Sequence, residues 1–345
     1  MSEHALYRKY RPHTFEEVRG QDQIVQSLQS AIRNDNIGHA YLFVGSRGIG
    51  KTTLARIFAR EIGTVEHDLV EIDAASNRGI DDIRALREET HVVPFSSRFK
   101  VYIIDEVHML TKDAWNALLK TLEEPPRHVV FILATTEVDK IPETILSRCQ
   151  IFTLRRPTSA LLTDLILTTA KREGCEIDRA GAELIALLAD GAFRDAHGIL
   201  QKVIASNSEK NITHADVERV TGAPRSAALL EMLDAVATRN LDMALTRLHA
   251  LVEGGNVKTT LALVLRIVRA ALLVRTAPTF ATTLQAEFTP EEWVSIERYA
   301  QDAKDILNSR LLTRLLSASL EVGTTYLPAL PLELALIEHL AKSEE

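Results

Sequence analysis

Along the first 157 residues, short continuous apolar runs alternate with stretches whose apolar residues recur every three or four positions. That is the pattern of strands buried on both faces between amphipathic helices. Ala40-Tyr-Leu-Phe-Val44, Leu69-Val-Glu-Ile72, Val101-Tyr-Ile-Ile104 and Val129-Val-Phe-Ile-Leu-Ala134 are the runs, and each predicts a strand. Helices are predicted over Lys51 to Glu61 and over Thr111 to Glu124. In the second, Ala114, Leu118 and Leu122 share a face and Pro125-Pro126 supplies the stop. Such alternation predicts a parallel α/β sheet.

After Arg155-Arg156-Pro157 the strand-like runs end. Leu161 to Arg172, Arg179 to Ala189 and Ala192 to Ser206 read as short helices, and Thr213 opens a fourth. Thr221-Gly222-Ala223-Pro224 reads as a linker, and beyond it the pattern is helical throughout, with Leu241, Leu245, Leu248 and Val252 on one face. The expected fold class is α/β followed by all-α. Its domains are a sheet domain over 1–157, a small helical domain over 158–222 and a helical C-terminal domain over 223–345.

Composition narrows the function classes. With 345 residues, 46% hydrophobic and 25% charged, the chain is neither collagenous, nor a disulfide-rich toxin, nor mostly disordered. The most apolar stretch, Leu261 to Val274, is interrupted by Arg266 and Arg269 and is too short to span a bilayer, so no membrane partner is expected. The N-terminal dozen residues lack the apolar core of a secretory signal. Cys149 and Cys175 are too few for a disulfide framework or a four-cysteine zinc site, and their spacing matches no common metal site. A reducing, cytoplasmic location is expected. The net charge of -7 argues against a free-standing nucleic-acid binder. Residues 1–60 are nevertheless net basic and residues 221–345 net acidic, which leaves a basic front for phosphate contacts.

The chemistry-bearing motif is Gly45, Ser46, Arg47, Gly48, Ile49, Gly50, Lys51 and Thr52, followed by Thr53, which fits G-x-x-x-x-G-K-[ST]. Its glycines let backbone N–H groups point at phosphate oxygens, and the helix behind adds its positive end. Lys51 is expected on the β- and γ-phosphates and Thr52 Oγ1 on Mg²⁺. The position between a predicted strand and a predicted helix sets this motif apart from a plain glycine turn. An apolar strand ending in Asp105-Glu106 supplies the second half. Asp105 is expected to hold Mg²⁺ through water and Glu106 to orient and deprotonate an attacking water, the bland reading being a solvated acidic strand end.

Three further residues have two readings each. Arg148, in Ser147-Arg-Cys149, is a finger reaching a neighbouring subunit's phosphate or a surface arginine. Arg194 reaches the same phosphate from the helical module or pairs with Asp195. Thr136 hydrogen-bonds the γ-phosphate or ends its strand. His108, close behind Glu106, reads as structural.

Tyr7-Arg-Lys-Tyr-Arg-Pro12, the glycine loop, Glu71-Ile-Asp-Ala-Ala-Ser-Asn-Arg-Gly79, Ile103-Ile-Asp-Glu-Val-His-Met-Leu110, Leu118-Leu-Lys-Thr-Leu-Glu-Glu-Pro-Pro126 and Ser147-Arg-Cys149 carry a resemblance. Together they resemble the tau/gamma family of bacterial DNA polymerase III subunits, the clamp-loader ATPases of the AAA+ class. The likeness is dense over about residues 6–157 and thinner beyond, where Gly191 to Asp195 fits. It implies that Tyr10, Arg11, Pro12 and Val18 line the adenine pocket. It also implies that Thr136 is sensor 1, Arg194 sensor 2 and Arg148 a finger acting in trans. ATP and Mg²⁺ are the implied cofactors. The implied partners are other clamp-loader subunits and copies of the chain in a pentameric assembly, the sliding clamp and primer-template DNA. The C-terminal helices would be the collar, and the chain would be a component of the polymerase III holoenzyme without being its polymerising subunit.

Two departures from the family pattern matter. The four-cysteine zinc module is replaced by Gly63-Thr-Val-Glu-His-Asp68, so no zinc is expected. The chain ends at Glu345, so the tau extension that holds helicase and polymerase is expected to be lacking. Arg78, before a predicted helix start, and Lys112, at another, are expected to touch the DNA backbone, in structure-selective rather than sequence-specific and salt-sensitive binding. The competing readings are another AAA+ DNA motor, such as a junction-migrating helicase or helicase loader, and a non-hydrolysing clamp-loader scaffold subunit.

Overall fold

The computed structural model describes residues 5–207, 209–253, 257–281 and 283–340. The chain divides into two compact units, Met1–Leu162 with Ala189–Gly198, and Thr163–Leu188 with Ile199–Glu345.

The first unit is built on five parallel strands: β1 (Ala40–Val44), β2 (Leu69–Asp73), β3 (Lys100–Asp105), β4 (Val129–Thr135) and β5 (Gln150–Thr153), in the order β2-β3-β4-β1-β5. Around them lie α1 (Leu6–Lys9), α2 (Asp22–Arg33), α3 (Lys51–Glu61), α4 (Ile80–Thr90), α5 (Lys112–Glu123) and α6 (Glu143–Leu146). The period-two rule sorts the strand residues onto two faces. Tyr41, Phe43, Val101, Ile103, Val130 and Ile132 pack with Leu28 of α2 and Leu54, Ile57 and Phe58 of α3. Leu42, Val44, Tyr102, Ile104, Phe131 and Leu133 pack with Ile83 of α4, Leu118 and Leu122 of α5 and Ile145 of α6. Burial on both faces explains why β1, β3 and β4 read as unbroken apolar runs, whereas β2 is an edge strand with Glu71 exposed. Truncating a fully buried residue such as Leu42 to Ala costs about 2–5 kcal/mol.

The chain leaves β1 for the far edge, returns strand by strand to β4, then crosses β1 to β5. The carboxyl end of β1 therefore lies where the strand order reverses, the place where open α/β sheets bind ligands. β5 is not among the four runs the hydrophobic pattern predicts. It is a short edge strand with Ile151 exposed and Phe152 half-buried, so it carries no continuous apolar signal.

The second unit is helical. It comprises α7 (Ser159–Arg172) from Thr163 on, α8 (Arg179–Leu188), α9 (Phe193–Ser206) from Ile199 on, and α10 (His214–Thr221). It continues with α11 (Ser226–Ala237), α12 (Leu241–Glu253), α13 (Val257–Thr276), α14 (Pro278–Ala281), α15 (Pro290–Asp302), α16 (Ser309–Glu321) and α17 (Leu330–Leu340). Strands do not end altogether at Pro157: Glu176–Ile177 and Asn211–Ile212 form a two-residue parallel ladder. It is fastened by the Asp178 carboxylate, which accepts from the Gly181 and His214 amides at 2.6 and 2.9 Å. Thr213 caps α10 in a reciprocal box with Asp216, and Gly222 closes it at φ 69°. α11 packs on α12, α13 on α15 and α16, and α16 on α17. Among the described residues, no helix is long and apolar enough to cross a membrane. In α13 the guanidinium of Arg266 lies over the Phe288 ring at 4.3 Å.

Candidate functional site

The carboxyl ends of β1, β3 and β4 deliver three chain segments to one edge of the sheet. Behind β1 the loop from Gly45 to Gly50 turns into α3, and its glycines, Gly45, Gly48 and Gly50, all take φ values that favour glycine. Gly48 sits at φ 77° with the Ala192 methyl 3.1 Å from where its own Cβ would lie. Gly50, at φ 105°, forms the left-handed step into α3. Ile49 is fully buried among the residues on the α3 face of the sheet, so it can face a ligand only with its backbone, whereas Arg47 is exposed.

Lys51 folds back along the loop. Its Nζ donates to the carbonyls of Gly45 at 2.8 Å and Ser46 at 3.1 Å. Burial lowers its pKa, opposed by the charges of Glu106 and Asp105 and aided by that of Arg194. One residue on, Thr52 Oγ1 donates to Asp105 Oδ2 at 2.5 Å. Two hard oxygen donors meeting beneath a phosphate-type loop suit Mg²⁺. Thr53 follows half-buried in the first turn of α3.

Glu106 takes a left-handed backbone, φ 48°, unusual for a residue with a side chain and worth about 1 kcal/mol of strain. The step is held by its own amide, which donates to Asp105 Oδ1 at 2.9 Å. Its carboxylate oxygen Oε2 accepts from Thr136 Oγ1 at 3.2 Å and lies 3.5 Å from His108 Nδ1. The acid at the end of β3 and the threonine after β4 thus meet directly, as parallel neighbours should.

The segment Gly191 to Asp195 reaches the loop through its backbone: the Arg194 amide donates to the Gly48 carbonyl at 3.4 Å. The Arg194 guanidinium lies 5.8 Å from the centre of the Tyr7 ring. Tyr10 stacks on His197 with ring centroids 6.1 Å apart. His197 is buried, and burial pushes its pKa down to about 4, so this wall of the site is a neutral imidazole. Arg11 is lowered by burial and by the neighbouring Arg56, which itself forms a two-pronged pair with Glu71. Pro12 and Val18 are half-buried, Val18 against the core beside α3.

Arg148 stands apart from this group. Its guanidinium pairs with Glu123 at 2.7 Å and donates to the Thr144 carbonyl at 2.6 Å. Arg78 and Lys112 are both exposed, and the Thr111 amide, next to Lys112, donates to the Arg78 carbonyl at 3.2 Å.

Residues outside the predicted set also reach the site. Arg156 Nε donates to Ser46 Oγ at 2.8 Å, and its NH1 lies 3.4 Å from Asp190. Buried Gln21 locks the preceding backbone, donating to the Arg155 carbonyl at 2.7 Å and accepting from its amide at 3.1 Å. The signal for both was β5: its pairing with β1 carries the following residues over the loop. Cys149 is half-buried, and burial pushes its thiol up to about 11.

The chain is similar to several known proteins. A family described as DNA polymerase III, delta subunit matches residues 20–77 and 63–158. The tau subunit of DNA polymerase III from Bacillus subtilis is 41% identical over 277 residues, 74% of this chain and 49% of that protein. The gamma subunit from Buchnera aphidicola is 39% identical over 245 residues, 65% of this chain and 67% of that one. The chain spans less than half the length of several of the curated relatives it matches. Among solved structures, the Thermotoga maritima RuvB branch migration motor superimposes with a TM-score of 0.54 at 24% identity, covering 69% of this chain and 85% of that one, a likeness of fold.

Proposed function

Because this chain belongs to the DNA polymerase III gamma/tau subunit family, we propose that it is an ATP-hydrolysing motor subunit of a clamp loader. In this reading it binds and hydrolyses ATP to place a sliding clamp on primer-template DNA, within a pentamer of its own copies and other loader subunits. The observation that carries the reading is the meeting of Lys51, Thr52, Asp105, Glu106 and Thr136 at one edge of the sheet.

The loop amides and Lys51 hold the phosphates, Lys51 exchanging the carbonyls of Gly45 and Ser46 for phosphate oxygens. Thr52 and Asp105 are the residues that would hold Mg²⁺, which when bound offsets charge on the phosphate oxygens. Glu106 takes a proton from water as the water oxygen bonds to the γ-phosphorus and the bond to the β,γ-bridging oxygen breaks. ADP leaves with that electron pair. Thr136 holds the Glu106 carboxylate before the nucleotide arrives and then turns to the γ-phosphate. Arg194 reaches that phosphate from the segment packed on Gly48, and Tyr10, Arg11, Pro12 and Val18 form the adenine side. Arg148, turned toward Glu123 within its own chain, acts on the site of a neighbouring subunit.

The test is steady-state ATP turnover by the purified chain, with and without primed DNA, a sliding clamp and partner subunits. Stimulation that needs both clamp and primed DNA supports the loader. Turnover indifferent to the clamp but responsive to branched DNA points to another AAA+ motor, and ATP binding without turnover leaves a scaffold subunit.

A further inference from the structure

His108 lies three residues past Asp105, on the short turn Val107–Met109 that follows the strained Glu106. Its side chain is 7% exposed, yet it reaches two carboxylates and a hydroxyl. Nδ1 is 3.1 Å from Thr135 Oγ1 and 3.5 Å from Glu106 Oε2. On the far side of the ring, Nε2 is 3.2 Å from Glu137 Oε1. Glu137 is fixed in turn: Lys140 pairs with its Oε2 at 2.8 Å, and its amide donates to Thr135 Oγ1 at 3.0 Å. The ring therefore spans from the side chains at the end of β4 to the carboxylate behind β3. Both ring nitrogens thus face polar groups, as a buried imidazole requires, and one of those groups is the Glu106 carboxylate.

We propose that His108 is a positioning residue for Glu106: clamped by Glu137 and Thr135, it holds the Glu106 carboxylate in the rotamer from which it accepts the proton of the attacking water. Thr136 Oγ1 donates to Oε2 and His108 Nδ1 approaches the same oxygen, so in this proposal Oε1 takes the proton. When Thr136 turns to the phosphate, His108 is the contact that remains. This rests on the ATPase reading above and extends it from the groups that touch the nucleotide to the one that aims the base. A carboxylate left to rotate spends less time in a productive geometry, which lowers kcat and leaves ATP affinity alone.

The experiment measures kcat, KM and direct ATP affinity for H108A, H108N, H108Q and E137Q in the fully assembled, DNA-stimulated system. Asparagine places an amide nitrogen near the Nδ1 position and glutamine near the Nε2 position, while glutamine is closer to histidine in volume. We expect H108A to lose about tenfold in kcat with ATP affinity within about twofold of wild type. H108N should keep more activity than H108Q, and E137Q should fall in the same direction by less. The double variant H108A/E137Q should be no worse than H108A, the mark of two residues acting as one unit. Activity ranked by side-chain volume, with glutamine ahead of asparagine, or equal losses in affinity and kcat, would show a packing role and overturn the proposal. So would wild-type kcat in H108A. Should H108A fail to fold, the order of H108N and H108Q and the loss in E137Q decide. A wild-type assembly that never hydrolyses ATP defeats the ATPase reading itself, an outcome distinct from variants that match an active wild type.

Discussion

Thr52 and Asp105 are fifty-three residues apart in the chain, yet Thr52 Oγ1 donates to Asp105 Oδ2 at 2.5 Å. One lies in the first turn of α3 and the other closes β3, so the hydrogen bond joins the phosphate loop to the acidic strand end. A cation that uses both oxygens replaces that hydrogen bond with its own contacts to Thr52 and Asp105. Thr52→Ala should therefore raise the Mg²⁺ concentration for half-maximal turnover by at least about tenfold, the equivalent of one hydrogen bond to a charged group. Its effect on Mg²⁺-free ATP binding should be small. Titrating Mg²⁺ into chelator-treated protein checks this.

Binding and chemistry should separate at two residues. Lys51→Ala removes the cation that faces the phosphates and should weaken ATP binding by at least about tenfold, by the same reasoning about charged hydrogen bonds. Glu106→Gln keeps the shape and the Thr136 contact but cannot accept a proton. ATP affinity should stay within a few-fold while turnover falls about 10²–10⁴-fold. Equilibrium binding of a fluorescent ATP analogue, set beside steady-state rates, distinguishes the two.

Arg148 spends its charge on Glu123 and the Thr144 carbonyl within its own chain. Arg148→Ala should lower turnover only in the assembled oligomer, by about 10³-fold or more, the usual worth of an arginine finger. Mixing experiments with one intact and one mutated partner locate the defect. A matching loss in isolated monomers would contradict action in trans.

His197 gives the protein an acid limit. Its folded pKa, about 4, lies below the 6.5 of an exposed histidine because burial disfavours the charged ring. The unfolded chain thus binds more protons in this window, and stability must fall as pH drops from 6.5 toward 4. The slope approaches about 1.4 kcal/mol per pH unit from this one group. Denaturant unfolding across that range should show it, and His197→Leu should flatten it.

The Thr111 amide donates to the Arg78 carbonyl, which brings the backbone of Arg78 next to the start of α5, where Lys112 lies. Replacing both with Ala should weaken binding to primed DNA alike for every sequence and reduce the slope of log affinity against log salt by about 1–2. An unchanged slope removes them from the DNA surface.

What could be read from the chain was whatever its local pattern encodes. β1 and α3 fall on the predicted residues because Ala40–Val44 is wholly buried and Gly50 ends the loop with a conformation few other residues take. Thr111 caps α5 where the pattern starts it. β5 was hidden because an edge strand with one exposed and one half-buried apolar residue looks like a loop. The same reason hid Arg156 and Gln21, whose places depend on a pairing more than 100 residues long. His108 was visible as a residue but not as a bridge, since Glu137 reaches it only through the β3–β4 pairing.

The strand order also dictates a timetable. β1 carries the phosphate loop but hydrogen-bonds only to β4 and β5, so its first sheet neighbour is about 85 residues farther along the chain. At a synthesis rate of about 5–20 residues per second, Ala40–Val44 waits roughly 4–17 s with both edges unpaired. On the function proposed above, nucleotide binding is therefore a property the nascent chain would acquire only once the fourth strand has been made.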